Sequence, residues 1–123
     1  MKVLVAEDDP EQLSLRCMLL DQSGFDAIGA ADGPSAVDLA VAQKPECAVI
    51  DLRLPTEELG LRLISELKRM DPSIHILVLT GSDPQNLVQK PEAELIEEIV
   101  VKGTPTGGLI HKLKLLAGRA GSS

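Results

Sequence analysis

Four short apolar runs, spaced along the chain, constrain the possible fold more than any other feature. They are VLVA at 3–6, CAVI at 47–50, ILVL at 76–79 and IVV at 99–101, and DAIGA at 26–30 is a weaker fifth candidate. Each run has the length of a strand and lacks the apolar–polar alternation of a strand with one exposed face. Continuous apolar strands are typical of a sheet that is covered on both faces. The sequence therefore predicts a buried, parallel sheet.

The segments between the runs have the spacing and the end signals of helices. In the first of them Leu13, Cys17 and Leu20 repeat at i, i+4 and i+7, and the stretch DPEQ at 9–12 supplies an N-cap, a proline at the first helical position and a capping-box glutamine. Further helices are marked by Gly33-Pro34, by Leu63, Ile64, Leu67 and Met70, by a segment from Pro84 to Leu95 that Pro91 shortens, and by Leu109, Leu113 and Leu116. Five strands that alternate with five helices predict an α/β, doubly wound (βα)5 sandwich. We expect one domain at 1–117 and a flexible tail at 118–123.

Composition excludes several classes of protein. The 123 residues are 44% apolar, which is enough to bury a core without disulfides. Because the net charge is −7 and Phe25 is the single aromatic residue, direct binding to nucleic acid is not expected. Cys17 and Cys47 lack metal-site spacing and are interpreted as reduced, buried thiols. With no long apolar run and no room for a signal peptide after Met1, we expect a cytoplasmic protein without a membrane partner.

Polar side chains follow four of the five predicted strands. They are Glu7, Asp8 and Asp9 after the first strand, Asp51 after the third, Thr80 after the fourth and Lys102 after the fifth. Ligands of open parallel sheets bind at the carboxyl ends of the strands, so these groups are expected at one edge. Two carboxylates about 4 Å apart repel by roughly 4 kcal/mol near a protein surface, and a hard cation such as Mg²⁺ would offset that repulsion. A nucleophilic carboxylate there would form an acyl phosphate, with Thr80 and Lys102 stabilising the phosphoryl group.

Four motifs together point to a family. VLVAEDD at 3–9, CAVIDLRLP at 47–55, ILVLTGSD at 76–83 and IVVK at 99–102 resemble the receiver domains of two-component response regulators, and the resemblance covers essentially the whole chain. It implies a flavodoxin-like fold with strand order 2-1-3-4-5. It also implies a signalling domain, not a metabolic enzyme, that accepts a phosphoryl group from a histidine kinase or phosphotransfer protein.

The resemblance assigns roles to the acidic residues. Asp51 matches the position of the family's phosphoacceptor. Asp8 matches the position of the residue that binds Mg²⁺ or Mn²⁺ directly. Glu7 occupies the second acidic position and would reach the metal through water. Together with Asp51, the backbone carbonyl of Arg53 would complete the metal ligands that the protein supplies. Asp9 is better interpreted as the N-cap of the first helix.

The remaining roles concern the conformational switch. Thr80 matches the switch hydroxyl, and Lys102 matches the lysine that contacts the phosphoryl oxygens. The family usually has an aromatic residue three positions before this lysine, whereas this chain has Ile99. Gly103 stands where a proline with a cis bond is usual. Arg53 and Ser82, which flank the acceptor and the switch threonine, are expected to tune the lifetime of the acyl phosphate. Output is expected through a downstream protein or a homodimer that uses the last helix and strand.

Two alternatives remain open from the sequence. The missing aromatic residue and proline slightly favour a receiver-like interaction module that functions without phosphorylation. The retained Asp8, Asp51, Thr80 and Lys102 count against that alternative. An enzyme that acts on a small phosphorylated molecule through Asp51 is disfavoured because no substrate-sized loop or additional domain is present.

Overall fold

Five strands alternate with helices in the computed structural model, which describes residues 1–81, 84–102 and 106–121. The strands are β1 Lys2–Ala6, β2 Asp26–Ala30, β3 Cys47–Asp51, β4 His75–Thr80 and β5 Glu98–Val101. The helices are α1 Pro10–Gln22, α2 Gly33–Gln43, α3 Glu57–Met70, α4 Pro84–Val88 and α5 Thr106–Gly121, with a 3₁₀ helix at Pro91–Leu95.

The strands form one parallel sheet in the order β2-β1-β3-β4-β5. The predicted fold class and strand order are therefore confirmed. The order reverses beside β1, so β1 and β3 lie at the centre of the switch point where ligands bind in such sheets. Asp51 pairs with Leu79 and Thr80 pairs with Val101, which aligns the carboxyl ends of the three strands from β3 to β5.

Helices cover both faces of the sheet, as the continuous apolar runs predict. Leu4, Ile50 and Val78 belong to a core on the face that α2 and α3 cover. Val5 and Leu77 point to the opposite face, where the core includes these α1 and α5 residues: Leu20, Leu109, Leu113 and Leu116. The alternation of side chains along each strand thus fills two hydrophobic layers, and the polar residues at the strand ends lie between them at the sheet edge.

The first helix begins with the predicted N-cap residue, but the predicted capping-box hydrogen bond of Gln12 is not made. The Asp9 carboxylate accepts hydrogen bonds from the Glu11 amide at 3.0 Å and the Gln12 amide at 3.4 Å, which makes Asp9 the N-cap. A capping box would direct the Gln12 side chain to the Asp9 amide. That amide instead donates to Glu7 Oε2 at 3.3 Å, so the predicted role of Gln12 is wrong. The start of α1 is consequently tied to the first acidic residue of the sheet edge.

The later helices show how proline and glycine limit local structure. A short α4 is followed by the 3₁₀ helix that starts at Pro91, which confirms that this proline interrupts the segment. The last helix extends to Gly121, into the segment predicted as a tail, and 122–123 lie outside the described residues. Both cysteines are free thiols, as predicted. The predicted burial is confirmed for Cys47, whereas Cys17 is only half-buried. Over the described part of the chain, the helices are too short or too polar to cross a membrane.

Candidate functional site

The structure brings the polar residues at the strand ends together at one edge of the sheet. Glu7 follows β1, Asp51 ends β3 and Thr80 ends β4, and these three residues are only 2%, 3% and 2% exposed. Lys102 follows β5 directly, and its amide donates to the Thr80 carbonyl at 2.7 Å. Two buried carboxylates beside a buried threonine are unusual in an apolar core, because burial of a charge is unfavourable unless the charge is paired.

The Asp51 carboxylate forms an ion pair with a lysine and accepts a hydrogen bond from the backbone of the loop that follows it. Lys102 Nζ lies 2.6 Å from Asp51 Oδ2, and the Arg53 amide donates to Asp51 Oδ1 at 3.1 Å. Burial by itself would raise the pKa of Asp51, but hydrogen bonds from Lys102, Glu7 and the Arg53 amide together hold that pKa below its ordinary value. Asp51 is therefore kept as a carboxylate, the form that can act as a nucleophile.

Glu7 is paired with Arg16, a residue that none of the sequence motifs predicts for the site. Arg16 Nη1 contacts Glu7 Oε1 and lies 3.9 Å from Asp51 Oδ2. The Arg16 side chain is only 13% exposed, although arginine is usually a surface residue. A signal was present in the sequence: Arg16 lies between Leu13 and Leu20 on the inward-facing stripe of α1. A basic residue in an apolar stripe indicates a buried acidic partner.

The two carboxyl groups differ in their affinity for a proton. Burial raises the pKa of Glu7, and the hydrogen bond and the charge of Asp51 raise it further. The Asp9 amide and the Arg16 guanidinium oppose this rise in part. The pKa values of Glu7 and Asp51 are thus shifted in opposite directions by one shared environment, as is common at functional sites.

Two pockets open beside Asp51. The larger has a volume of about 670 Å³ and is bordered by Asp8, Asp51 and Arg53 together with these residues of the β1–α1 region: Glu7, Asp9, Gln12, Leu15, Arg16 and Leu19. The smaller has a volume of about 140 Å³ and includes Thr80 and Asp51 in its wall. Lys102 lines both pockets. Asp51 therefore borders both the pocket that contains Glu7, Asp8 and Asp9 and the pocket that contains Thr80.

The donor set matches the preferences of a hard cation in type. Glu7, Asp8 and Asp51 supply carboxylate oxygens around the larger pocket, and Asp8 is exposed to solvent. Within the described ranges, three or more His, Cys, Asp or Glu side chains do not come close enough together to form a metal cluster. Mg²⁺ commonly binds through one or two carboxylates and retains several waters, so a preformed cluster is not required. The residues present fit this kind of ion.

The switch positions are described in part. Ile99 is half-buried and packs against the core that includes Leu4 and Ile50, so an aliphatic side chain fills the position where an aromatic residue is usual. Ser82 and Gly103 lie outside the described residues, and the expectations for them stay predictions.

Comparisons with known proteins agree with this architecture. The family model described as the response regulator receiver domain matches residues 3–114. The chain is 33% identical over 84 residues to the alkaline phosphatase synthesis transcriptional regulatory protein PhoP of Bacillus subtilis, which covers 68% of this chain and 35% of PhoP. It is 30% identical over 123 residues to the transcriptional regulatory protein PrrA of Mycobacterium tuberculosis, covering 99% of this chain and 52% of PrrA. The chain thus spans about a third to a half of the length of these relatives.

Solved structures show the same fold. The response regulator TrrA of Thermotoga maritima, in complex with Mg²⁺ and BeF, superposes with a TM-score of 0.83 at 22% identity, over 94% of this chain and 97% of TrrA. The receiver domain of the Francisella response regulator 1452 superposes with a TM-score of 0.85 at 23% identity, over 97% and 98% of the two chains. Taken with the family match over 3–114, these similarities show that the chain belongs to the response regulator receiver domains of two-component signalling systems.

Proposed function

We propose that Asp51 is the phosphoacceptor of this receiver domain and that a divalent cation, Mg²⁺ or Mn²⁺, assists the transfer. The observation that carries the proposal is the placement of Asp51. Its carboxylate is buried, lies 2.6 Å from the Lys102 ammonium and borders both pockets at the end of β3. A paired carboxylate with its pKa held low and with an open approach has the properties of a nucleophile.

In the proposed reaction, an Asp51 carboxylate oxygen forms a bond to phosphorus while the bond from phosphorus to the donor breaks. With a phosphohistidine donor, the electron pair of the broken bond stays on the imidazole nitrogen. Lys102 then holds a phosphoryl oxygen through its charge, and Thr80, which lines the smaller pocket, is the second candidate to contact the phosphoryl group. Neither residue gains or loses a proton in this step.

Four residues are proposed to hold the cation. Asp8 and Asp51 would bind it directly, Glu7 through water, and Arg53 through its backbone carbonyl. All four line the larger pocket. A bound divalent cation would neutralise part of the negative charge that accumulates as the phosphoryl group approaches the carboxylate.

The proposed donor is a histidine kinase or a phosphotransfer protein, and the proposed compartment is the cytoplasm, where response regulators typically function. The proposed output is contact with a downstream protein, or homodimer formation, through α5 and β5. Although the relatives PhoP and PrrA are named transcriptional regulators, the net charge of −7 makes direct DNA binding by this domain unfavourable.

Mass spectrometry of the intact protein tests the proposal directly. After incubation with acetyl phosphate and Mg²⁺, we expect one phosphoryl adduct that disappears in Asp51→Asn and after addition of a chelator. Asp38→Asn is the matched control because Asp38 is an exposed carboxylate on α2, away from the site. If no adduct forms under conditions that modify an ordinary receiver, the phosphorylation-independent interaction module becomes the better explanation. The comparisons do not favour that alternative.

A further inference from the structure

The position of Arg16 has a consequence for metal binding. Its guanidinium contacts Glu7 and lies 3.9 Å from an oxygen of Asp51, so it lies beside two of the carboxylates proposed to bind the cation. Arg16 also lines the larger pocket together with Asp8. The positive charge of Arg16 is therefore already present in the pocket that a divalent ion would enter.

A guanidinium and a metal ion compete for the same carboxylates for two reasons. Ionised oxygens that accept hydrogen bonds from arginine must be released, at least in part, before they face another cation. In addition, the charge of the guanidinium repels a divalent ion at short range, and a pocket with buried walls screens that repulsion less than water does.

A purely structural role would also explain part of the geometry, because burial of Glu7 without a partner would be strongly unfavourable. The structural role and the competing role make different predictions for metal binding. If Arg16 only keeps Glu7 in place, its removal should weaken the metal site or leave it unchanged. If Arg16 competes, its removal should strengthen the site.

We propose that Arg16 is an internal counter-ion of the acidic pocket and that it lowers the affinity for the divalent cation by competing for Glu7 and Asp51. This inference depends on the metal site of the proposed function. The open, roughly 670 Å³ pocket gives the long side chain space to withdraw when the ion binds. The domain would then keep its acidic residues neutralised without metal and would bind the metal more weakly than the same site lacking Arg16.

Isothermal titration calorimetry with MgCl₂ tests the inference on the full chain. We expect Arg16→Gln to bind Mg²⁺ on the order of tenfold more tightly than the wild type, because one nearby positive charge is removed. Arg62→Gln is the matched control, since Arg62 is exposed on α3 and its replacement changes the net charge equally. Arg62→Gln should keep the wild-type affinity. Arg16→Lys, which retains the charge, should remain nearer to the wild type than Arg16→Gln.

Equal or weaker binding by Arg16→Gln, or an equal gain in Arg62→Gln, would overturn the inference. Absence of Mg²⁺ binding in every variant would overturn it as well. The phosphoryl adduct at Asp51 is measured separately on the wild type, so the proposed function can stand or fail independently of Arg16.

A second measurement uses only the wild-type protein, so it does not depend on whether a variant folds. In ¹⁵N-labelled wild-type protein, the side-chain guanidinium resonance of Arg16 should shift as Mg²⁺ is added, along the same titration curve as the calorimetric signal. The resonance of Arg62 should not move. A resonance of Arg16 that stays constant while the protein binds Mg²⁺ would contradict the competition.

Discussion

Replacement of Gly60 by alanine should destabilise the domain although alanine favours helices. Gly60 lies in the first turns of α3, where the helix passes very close to the backbone that follows Asp51. A Cβ atom at this position would overlap the carbonyl oxygen of Leu52 and lie 2.9 Å from its carbonyl carbon. Leu52 is held in place because its amide donates to the Leu79 carbonyl at 2.9 Å. The end of β3 is therefore not free to move away from the helix.

The magnitude follows from two opposing effects. A glycine-to-alanine change in a helix interior is favourable by up to about 1 kcal/mol. Overpacking against side chains is unfavourable by about 1–3 kcal/mol, and overlap with fixed backbone belongs at the upper end of that range or above it. We therefore expect the free energy of unfolding to fall by about 2 kcal/mol, which corresponds to a decrease in Tm of roughly 6–12 °C for a domain of this size.

Urea unfolding followed by circular dichroism at 222 nm measures this effect, since the chain has no Trp or Tyr for fluorescence. Gly108→Ala is the matched control, because Gly108 lies in α5 and a Cβ there meets no atom within 4 Å. That variant should be unchanged or stabilised by up to about 1 kcal/mol. If Gly60→Ala is as stable as Gly108→Ala, the close approach of α3 to Leu52 does not constrain residue 60. The proposed phosphorylation of Asp51 should also slow in Gly60→Ala, since the loop that holds its carboxylate must shift.

Three further predictions concern single side chains. Asp9→Ala should lower the free energy of unfolding by about 1 kcal/mol through loss of the N-cap and leave Mg²⁺ affinity unchanged by calorimetry; a large loss of affinity would make Asp9 a metal ligand. Burial raises the pKa of Cys47 to about 12, so a thiol reagent at pH 8 should modify half-buried Cys17 first, and equally rapid labelling of both thiols in the folded protein would contradict this. Lys102→Met should raise the pKa of Asp51, measured by ¹³C NMR of its carboxyl group, and an unchanged value would show that the 2.6 Å ion pair does not hold that pKa down.

The ion pair of Asp51 with Lys102 also determines how the free energy of unfolding changes with pH. Because the pKa of Asp51 is lower in the folded state than its ordinary value, the ionised form stabilises the fold above the unfolded pKa. That stabilisation is lost as the pH falls through the folded pKa. Lys102→Met should therefore show a weaker loss of stability on acidification than the wild type, when urea midpoints are compared in the acidic range.

Most of the fold could be predicted because the sheet has a simple physical signature. Runs of apolar residues located all five strands, although the weaker DAIGA run depended on its position in the pattern. The predicted bounds missed Lys2, His75 and Glu98, which begin β1, β4 and β5. These polar residues lie where the strands enter the sheet and are only partly buried, so hydropathy alone assigns them to the preceding loops.

The site residues that directly follow or end a strand could also be predicted from the sequence. Glu7, Asp51, Thr80 and Lys102 meet because parallel strands end at one edge, which is a property of topology. Arg16 was not predicted because its acidic partners become its neighbours only when α1 packs against the sheet, where it contacts β2 and β1. The Leu52–Gly60 contact likewise depends on the distance between a helix and a strand, and no residue pattern encodes that distance.

The charges of the site suggest how phosphorylation would be transmitted. In the described structure Glu7 is paired with Arg16, and Asp51 is paired with Lys102. A phosphoryl group on Asp51 would add negative charge mainly on the side of Lys102, so the lysine would follow the phosphoryl oxygens. Because the Lys102 amide is bound to the Thr80 carbonyl at 2.7 Å, that movement would strain the ends of β4 and β5.

β5 is linked to α5 through the contact of Lys112 Nζ with Glu98 Oε2 at 2.9 Å. Ile99 lies next to Glu98 and is packed in the core, and a branched aliphatic side chain has few rotamers in which to respond. We therefore expect the change to reach the surface as a displacement of β5 and α5 more than as rotation of the residue at position 99. Ile99→Val, which keeps the branched shape, should then preserve any phosphorylation-dependent change in the amide resonances of α5. Loss of that change in Ile99→Val would show that the side chain itself carries the signal.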